Sequence, residues 1–219
     1  MPDRDTGGRA PAAKWPGLAG FDIDGDFILA QEGHEARMYV PAKRDPKTGQ
    51  MAPIGHSGPT IGLGVDLGGK DVAYLRSLKL AASLEALLTP YLGRKGLDAY
   101  RFVQDHPLEL TPPQLAALDA AVQRREFTAL AAKFDAASRI GPFRGLPRLT
   151  QTAIASLYFQ YGSGDPARKT PRFWRQITTG DWDGAHRELL GFGDAFASRR
   201  RREAALLWQD IRSGRLRSR

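Results

Sequence analysis

The sequence predicts an α+β fold, predominantly helical, with one small β-containing flap near the N-terminus. Three observations support this. From Asp71 onward apolar residues recur at helical spacing, beginning with Val72, Leu75 and Leu78. The segment from Tyr39 to Gly69 differs in kind, because Pro41, Pro46, Pro53 and Pro59 stand among many glycines and short apolar runs, a pattern of hairpins and turns. In the second half, Thr111-Pro112-Pro113-Gln114 and Thr170-Pro171 pair a capping hydroxyl with a proline that suits a first helical turn.

Taken in order, residues 1–20 read as a flexible leader, and a single domain is expected over 21–213, with the flap at about 36–70 and the helical body at about 71–213. Phe27, Leu29, Ala30 and Gln31 suggest a short helix ending near Gly33, which leaves Glu35 at an exposed helix end. After the flap come two short helices, the second carrying Leu84, Leu87 and Leu88 and stopping at Pro90. A helix from Pro112 to about Phe134 follows, and Gly141 to Pro147 break it. Thr150 then opens a strongly apolar helix through Ile154, Leu157 and Gln160 to Gly162. Asp181 can cap a helix from Trp182 to Leu190, and Ser198 can cap a last one through Leu206, Leu207 and Trp208. Trp174, Trp182 and Trp208 read as core anchors, and the Arg-rich tail reads as a solvated end.

The 219 residues suffice for one sizeable core, which can also divide into two lobes around a cleft. No stretch approaches the ~20 apolar residues that span a bilayer, so membrane insertion is not expected. The start from Met1 to Pro16 is polar, so no standard signal peptide is expected. With no cysteine there are no disulfides or thiolate metal sites. A net charge of +8 favours a polyanionic partner, and nucleic acid, anionic lipid and the acidic cell wall all qualify.

Acidic residues, small residues and sharp turns coincide in the string from Gly55 to Gly69. Gly62 and Gly64 leave one face of a strand bare for the approach of a polymer. Asp66 and Thr60 flank that strip, and Glu32 at the end of the preceding helix can face the same groove. Glycosidic hydrolysis needs a protonated carboxyl for the leaving oxygen and an ionised group on the other side of the sugar. Glu32, packed among apolar residues, suits the first role and Asp66, among turn amides, the second, with Thr60 holding the water. Asp22, Asp24 and Asp26 open like a calcium loop, but the twelfth position, which should be a bidentate Glu, is Gly33. His34 and His56 lack a third clustered ligand, so no metal and no cofactor is expected.

Glu32-Gly33, Tyr39 and Thr60-Ile61-Gly62-Leu63-Gly64 resemble the signature of the phage-type lysozymes. More closely, Ser57 to Gly68 is similar to the Ser-Gly-x-Thr-x-Gly-x-Gly-x-Asp-Leu-Gly run of the pesticin-like muramidase domains. The resemblance continues in Phe159-Gln160-Tyr161-Gly162, Phe173-Trp174, Gly180-Asp181-Trp182 and Arg199-Arg200-x-x-Glu203-Ala204. It implies a two-lobed lysozyme-like fold with a helical C-terminal lobe, and a peptidoglycan glycan-strand hydrolase acting between N-acetylmuramic acid and N-acetylglucosamine. It also implies Glu32 as the acid, Asp66 and Thr60 as water-holding groups, and Arg199 as a partner of Glu32. Tyr39, Ser57, Gly62, Gly64, Gln160 and Tyr161 are the further candidates for substrate binding. The loop between Tyr39 and Thr60 is longer than in the compact phage enzymes, and Val65 stands where many of those have histidine.

A lytic transglycosylase needs only the acid, so the additional Thr60 and Asp66 count against it. A non-catalytic module binding nucleic acid or peptidoglycan is the other alternative: no helix-turn-helix signature supports the first, and the intact Glu32, Thr60 and Asp66 set counts against a purely binding role. The expected partners are peptidoglycan and, if the chain is a toxin, an immunity protein that plugs the cleft; a monomer suits work within the wall mesh. Without a signal peptide, the wall would be reached by host lysis, specialised secretion or uptake.

Overall fold

The computed structural model describes residues 20–218 other than 33, 162 and 163. The leader, Gly20 apart, lies outside the described residues, as do the helix ends expected at Gly33 and Gly162. Helix α1 (Gly25–Leu29) is capped by Asp24, whose side chain accepts from Phe27 N. It is shorter than expected, and Glu35 belongs to strand β1 (Glu35–Tyr39), not to a helix end. Strands β2 (Ala42–Arg44) and β3 (Met51–Pro53) form a hairpin of their own. Strands β4 (Thr60–Gly62) and β5 (Val65–Asp66) form another, and β1 pairs antiparallel with β4 to complete a sheet ordered β1-β4-β5.

The expected short helices are α2 (Val72–Leu78), capped by Asp71, and α3 (Ala82–Leu88). Helix α4 (Gly96–Asp105), which the sequence reading did not single out, buries only Ala99 and Val103, a stripe too thin to stand out. Helix α5 (Pro112–Ala137) starts where the capping box places it, with Gln114 Oε1 accepting from Thr111 N at 2.9 Å. Helix α6 (Arg148–Tyr161) begins two residues before Thr150. Thr150 is not its cap: its amide and hydroxyl both donate to the buried Asp210, at 2.9 and 2.8 Å.

After α7 (Pro166–Lys169), α8 (Pro171–Thr179) ends at Gly180, whose φ of 82° is the left-handed conformation of a helix stop. Helix α9 (Trp182–Leu190) is capped by Asp181 as expected. Helix α10 (Ala197–Arg212) has Phe196, not Ser198, at its cap position. The tail is pinned: Leu216 is buried, its amide donates to Asp210 O, and Ser218 donates to Asp183. Trp174 and Trp182 are core residues, whereas Trp208 is 41% exposed and stacks on His186. The expectation for Trp208 is thus corrected: it lies on the outer side of α10.

Two apolar cores result. One joins β1, β4, β5, α2, α3, α4 and the first half of α5 around Ile61, Leu67, Leu75, Leu88 and Leu118. The other joins α1, the second half of α5, α6 and α8 to α10 around Phe127, Phe134, Phe173 and Leu207. Helix α5 runs through both, and Phe159 packs against both. This is a predominantly helical α+β fold of two lobes, with the flap and α5 meeting where the lobes join. None of the described helices is long and apolar enough to cross a membrane.

Candidate active site

Glu32 follows α1, whose approach is tied to α6: Asp22 N donates to Gln151 and Asp24 N to Thr152, and Ile28 is fully buried in the helical lobe. Arg148 pairs with Asp24 at 3.3 Å, so these acids anchor the entry of α1. The Glu32 amide donates to Ile28 O. Its carboxylate Oε1 stands 2.6 Å from Arg199 Nη1, with the side chains 19% and 7% exposed. This contact has the distance of an ion pair without the alignment of a hydrogen bond.

Arg199 would read as part of an exposed basic run, yet it and Arg200 are buried, while Arg201 and Arg202 are exposed. The reason is Glu203. Fully buried, it accepts from Ser156 Oγ at 2.6 Å and Arg199 Nε at 3.1 Å, and also pairs with Arg200. Arg199 donates further to Ser156 O at 2.7 Å. Arg200 pairs with Asp194 at 3.0 Å and donates to Gln160.

Gln160 and Tyr161 therefore belong to the Arg200 side of the cluster, which is joined to Glu32 through Glu203 and Arg199. The Tyr161 hydroxyl donates to Asp194 at 3.0 Å. Burial first, and then Asp194, raise the phenol above its usual range. Burial alone would raise Asp194 too, but the Phe196 amide, Arg200 and Tyr161 outweigh it and hold the carboxyl below the usual range.

In the flap, Tyr39 pairs with Thr60 and Thr60 with Asp66, so these residues form one row across β1, β4 and β5. Directly opposed residues of antiparallel strands project to the same face. Both oxygens of Asp66 accept backbone N–H groups, from Gly68 at 2.7 Å and Gly58 at 3.3 Å. Gly58 and Gly68 have to be glycine, because a Cβ on Gly58 would lie 2.4 Å from Asp66 Oδ1 and one on Gly68 2.5 Å from Arg94 O. Thr60 is buried and donates to Gly58 O at 3.0 Å, which leaves its lone pairs to receive a proton. Ser57 is occupied within its turn, donating to Ile54 O at 2.7 Å.

The two glycines expected to bare a strand do different things. Gly64 (φ 77°) is open, with nothing within 4 Å of a would-be Cβ. At Gly62 (φ 62°) that space is filled, with Asp119 Oδ1 only 2.4 Å from where a Cβ would stand.

Asp119 was missed by the sequence reading. It lies on α5, is fully buried, and accepts from Leu63 N at 3.0 Å through Oδ1. His34 Nδ1 stands 3.0 Å from Oδ2, so His34 is not an unattached surface histidine, although its side chain is 45% exposed. Burial pushes the Asp119 carboxyl up to about 6, against the pull of the Leu63 amide and His34. The signal was available: Asp119 lies on the stripe of Leu115, Leu118 and Val122, where an acid has no solvent to face.

Asp66 opens on a groove of about 210 Å³ that it shares with Gly64, Lys70, Tyr74, Glu126 and Phe159. Burial, then the charge of Glu126, push Tyr74 up to about 12, opposed by Arg125. Tyr39 borders a second, largely apolar groove of about 610 Å³ with Met51, Ile54 and Tyr100.

A family model described as "Pesticin: Bacterial toxin homologue of phage lysozyme, C-term" matches residues 22–183. The chain belongs to the pesticin family. No curated protein matches it. At the level of the pesticin family this is a lysozyme-related, peptidoglycan-hydrolase type of toxin domain. The matched span contains Glu32, the row Tyr39-Thr60-Asp66, Asp119 and α6, and it stops before Arg199 and Glu203. Among the described residues no cluster of His, Asp and Glu could hold a metal ion.

Proposed function

We propose that this chain is a muramidase that hydrolyses the β-1,4 bond between N-acetylmuramic acid and N-acetylglucosamine in peptidoglycan. The observation that carries the reading is that, in a chain of the pesticin family, Thr60 and Asp66 stand opposed on β4 and β5 with both Asp66 oxygens held by backbone amides. Glu32 lies against a buried guanidinium, whereas Asp66 is fixed by two backbone amides beside the Thr60 hydroxyl.

Glu32 donates its proton to the leaving glycosidic oxygen, and the carboxylate this leaves is met by Arg199. A water donates one proton to the free lone pairs of Thr60 and another to Asp66. Its oxygen attacks the anomeric carbon from the face opposite the departing sugar, and Asp66 takes the released proton. Attack from that face inverts the anomeric configuration, the outcome of glycosidases whose carboxyls leave room for a water. Tyr39, Gly64, Gln160, Tyr161 and Arg199 complete the proposed substrate-side set; the Ser57 hydroxyl and Gly62 act through two separate turns, the first closed on Ile54 and the second between β4 and β5.

The +8 charge suits the anionic wall. As a toxin, the chain would act on the wall of a target cell as a monomer after lysis, specialised secretion or uptake, and its producer would carry an inhibitor of the cleft.

Digestion of purified peptidoglycan, with the fragments identified by mass, tests the reading. Fragments with reducing N-acetylmuramic acid ends are expected. Reducing N-acetylglucosamine ends would move the cleaved bond, and 1,6-anhydro ends would mean a lytic transglycosylase.

A further inference from the structure

Asp119 is a buried acid to which the mechanism gives no role. Asp119 sits on α5 among Leu115, Leu118 and Val122, fully screened from water, where an ionisable group is costly unless its contacts matter. Each of its oxygens meets a different segment of the site. Oδ1 accepts from Leu63 N, three residues after Thr60 and three before Asp66. Oδ2 faces His34 Nδ1, two residues after Glu32. The backbone is built around the carboxylate, since Gly62 takes a φ of 62° and a Cβ there would strike Oδ1. A further tie runs parallel to it, because Glu35 pairs with the same Gly62.

We infer that Asp119 is a positioning residue: through His34 and the Leu63 amide it sets the placement of the acid Glu32 relative to the water-holding pair Thr60 and Asp66. The inference rests on the muramidase reading of that site. The His34 ring stands at hydrogen-bond distance but off the line of an ideal bond, so a small rotation completes or breaks the tie. Asp119 touches no substrate. Its effect comes from geometry, and misplacement of reacting groups by about 1 Å can cost on the order of 100-fold in rate.

The test compares the full chain with Asp119→Ala, Asp119→Asn and His34→Ala on peptidoglycan, well below each melting temperature and with the folded fraction measured by circular dichroism. Asp119→Ala should lower kcat at least tenfold with KM within about threefold, a split expected when positioning rather than binding is lost. Asp119→Asn should recover part of that loss, since its amide oxygen can still accept from Leu63 N. His34→Ala should lower kcat while leaving the Leu63 amide protected from hydrogen exchange, whereas Asp119→Ala should expose it.

A purely structural role would lower stability and leave kcat per folded molecule unchanged. Values within twofold of the parent for both alanine variants would overturn the inference. If Asp119→Ala does not fold, His34→Ala decides alone, because that side chain is half exposed. A parent chain that cleaves nothing would overturn the reading of the site itself, while an active parent with unaffected variants would overturn only the role of Asp119.

Discussion

Replacing Glu203 by Gln keeps the shape of the side chain and removes the negative charge that Arg199 and Arg200 share. Glu203 is fully buried and receives donors from Ser156, Arg199 and Arg200, so an amide must turn a donor of its own toward one of them. Removing one partner of a buried ion pair costs ~3–5 kcal/mol. Arg199 keeps Glu32 and Arg200 keeps Asp194, which places the expected loss at the lower end, about 3 kcal/mol. At ~2–4 °C per kcal/mol for a chain of this size, the melting temperature should fall by roughly 6–12 °C. Urea denaturation and thermal melts read this directly. Arg172→Ala is the control, because its pair with Glu188 lies on a side chain 69% exposed and should contribute under about 1 kcal/mol. A loss below about 1 kcal/mol for Glu203→Gln would refute the view that this carboxylate organises the base of the site.

Two further outcomes are expected. Gly62→Ala combines a left-handed backbone with a clash against Asp119 and should cost about 2–5 kcal/mol, while Gly64→Ala, with open space around it, should cost only ~1–2 kcal/mol, both by urea denaturation. Asp119 is raised from 3.8 to about 6 in the folded chain, so its contribution to stability is fully present below pH 3.8 and lost as pH rises past about 6. Asp119→Asn removes that dependence, so its stability relative to the parent should improve by up to about 3 kcal/mol between pH 3.5 and pH 7.5. A pH-independent difference would mean that burial does not hold the carboxyl up.

What could be read in the sequence was local. The run from Ser57 to Gly68 carries its own turns, glycine contacts and Asp66 cap within a dozen residues, so Thr60 and Asp66 could be read as flanking one glycine strip, and the resemblance joined their roles. Thr111 with Gln114, and Asp181 with Gly184, likewise form caps from neighbours in the chain. What escaped depends on partners far along the chain. Thr150 resembled a helix cap, but its hydroxyl answers Asp210, sixty residues on. Arg199 was marked as a partner of Glu32 only by the resemblance; on their own, Arg199 and Arg200 look like a solvated basic run, because Ser156 and Gln160, which close over them with Glu203, lie 43 and 40 residues away. The tail's anchoring through Ser218 to Asp183 depends on the same long-range closure. The apolar stripe of α5 could have marked Asp119 among the 24 acids, but its tie to Leu63, 56 residues away, and the space it fills at Gly62 could not be read there.

In the proposed mechanism Glu32 delivers the proton that breaks the glycan strand. The most direct test is Glu32→Gln against the parent chain, both shown to be folded, with release of reducing ends from purified peptidoglycan as the readout. Loss of a positioned acid removes ~100- to 10,000-fold in rate, so the variant should be slower by at least ~100-fold. A Glu32→Gln chain that releases reducing ends at the parent's rate would rule Glu32 out as the acid.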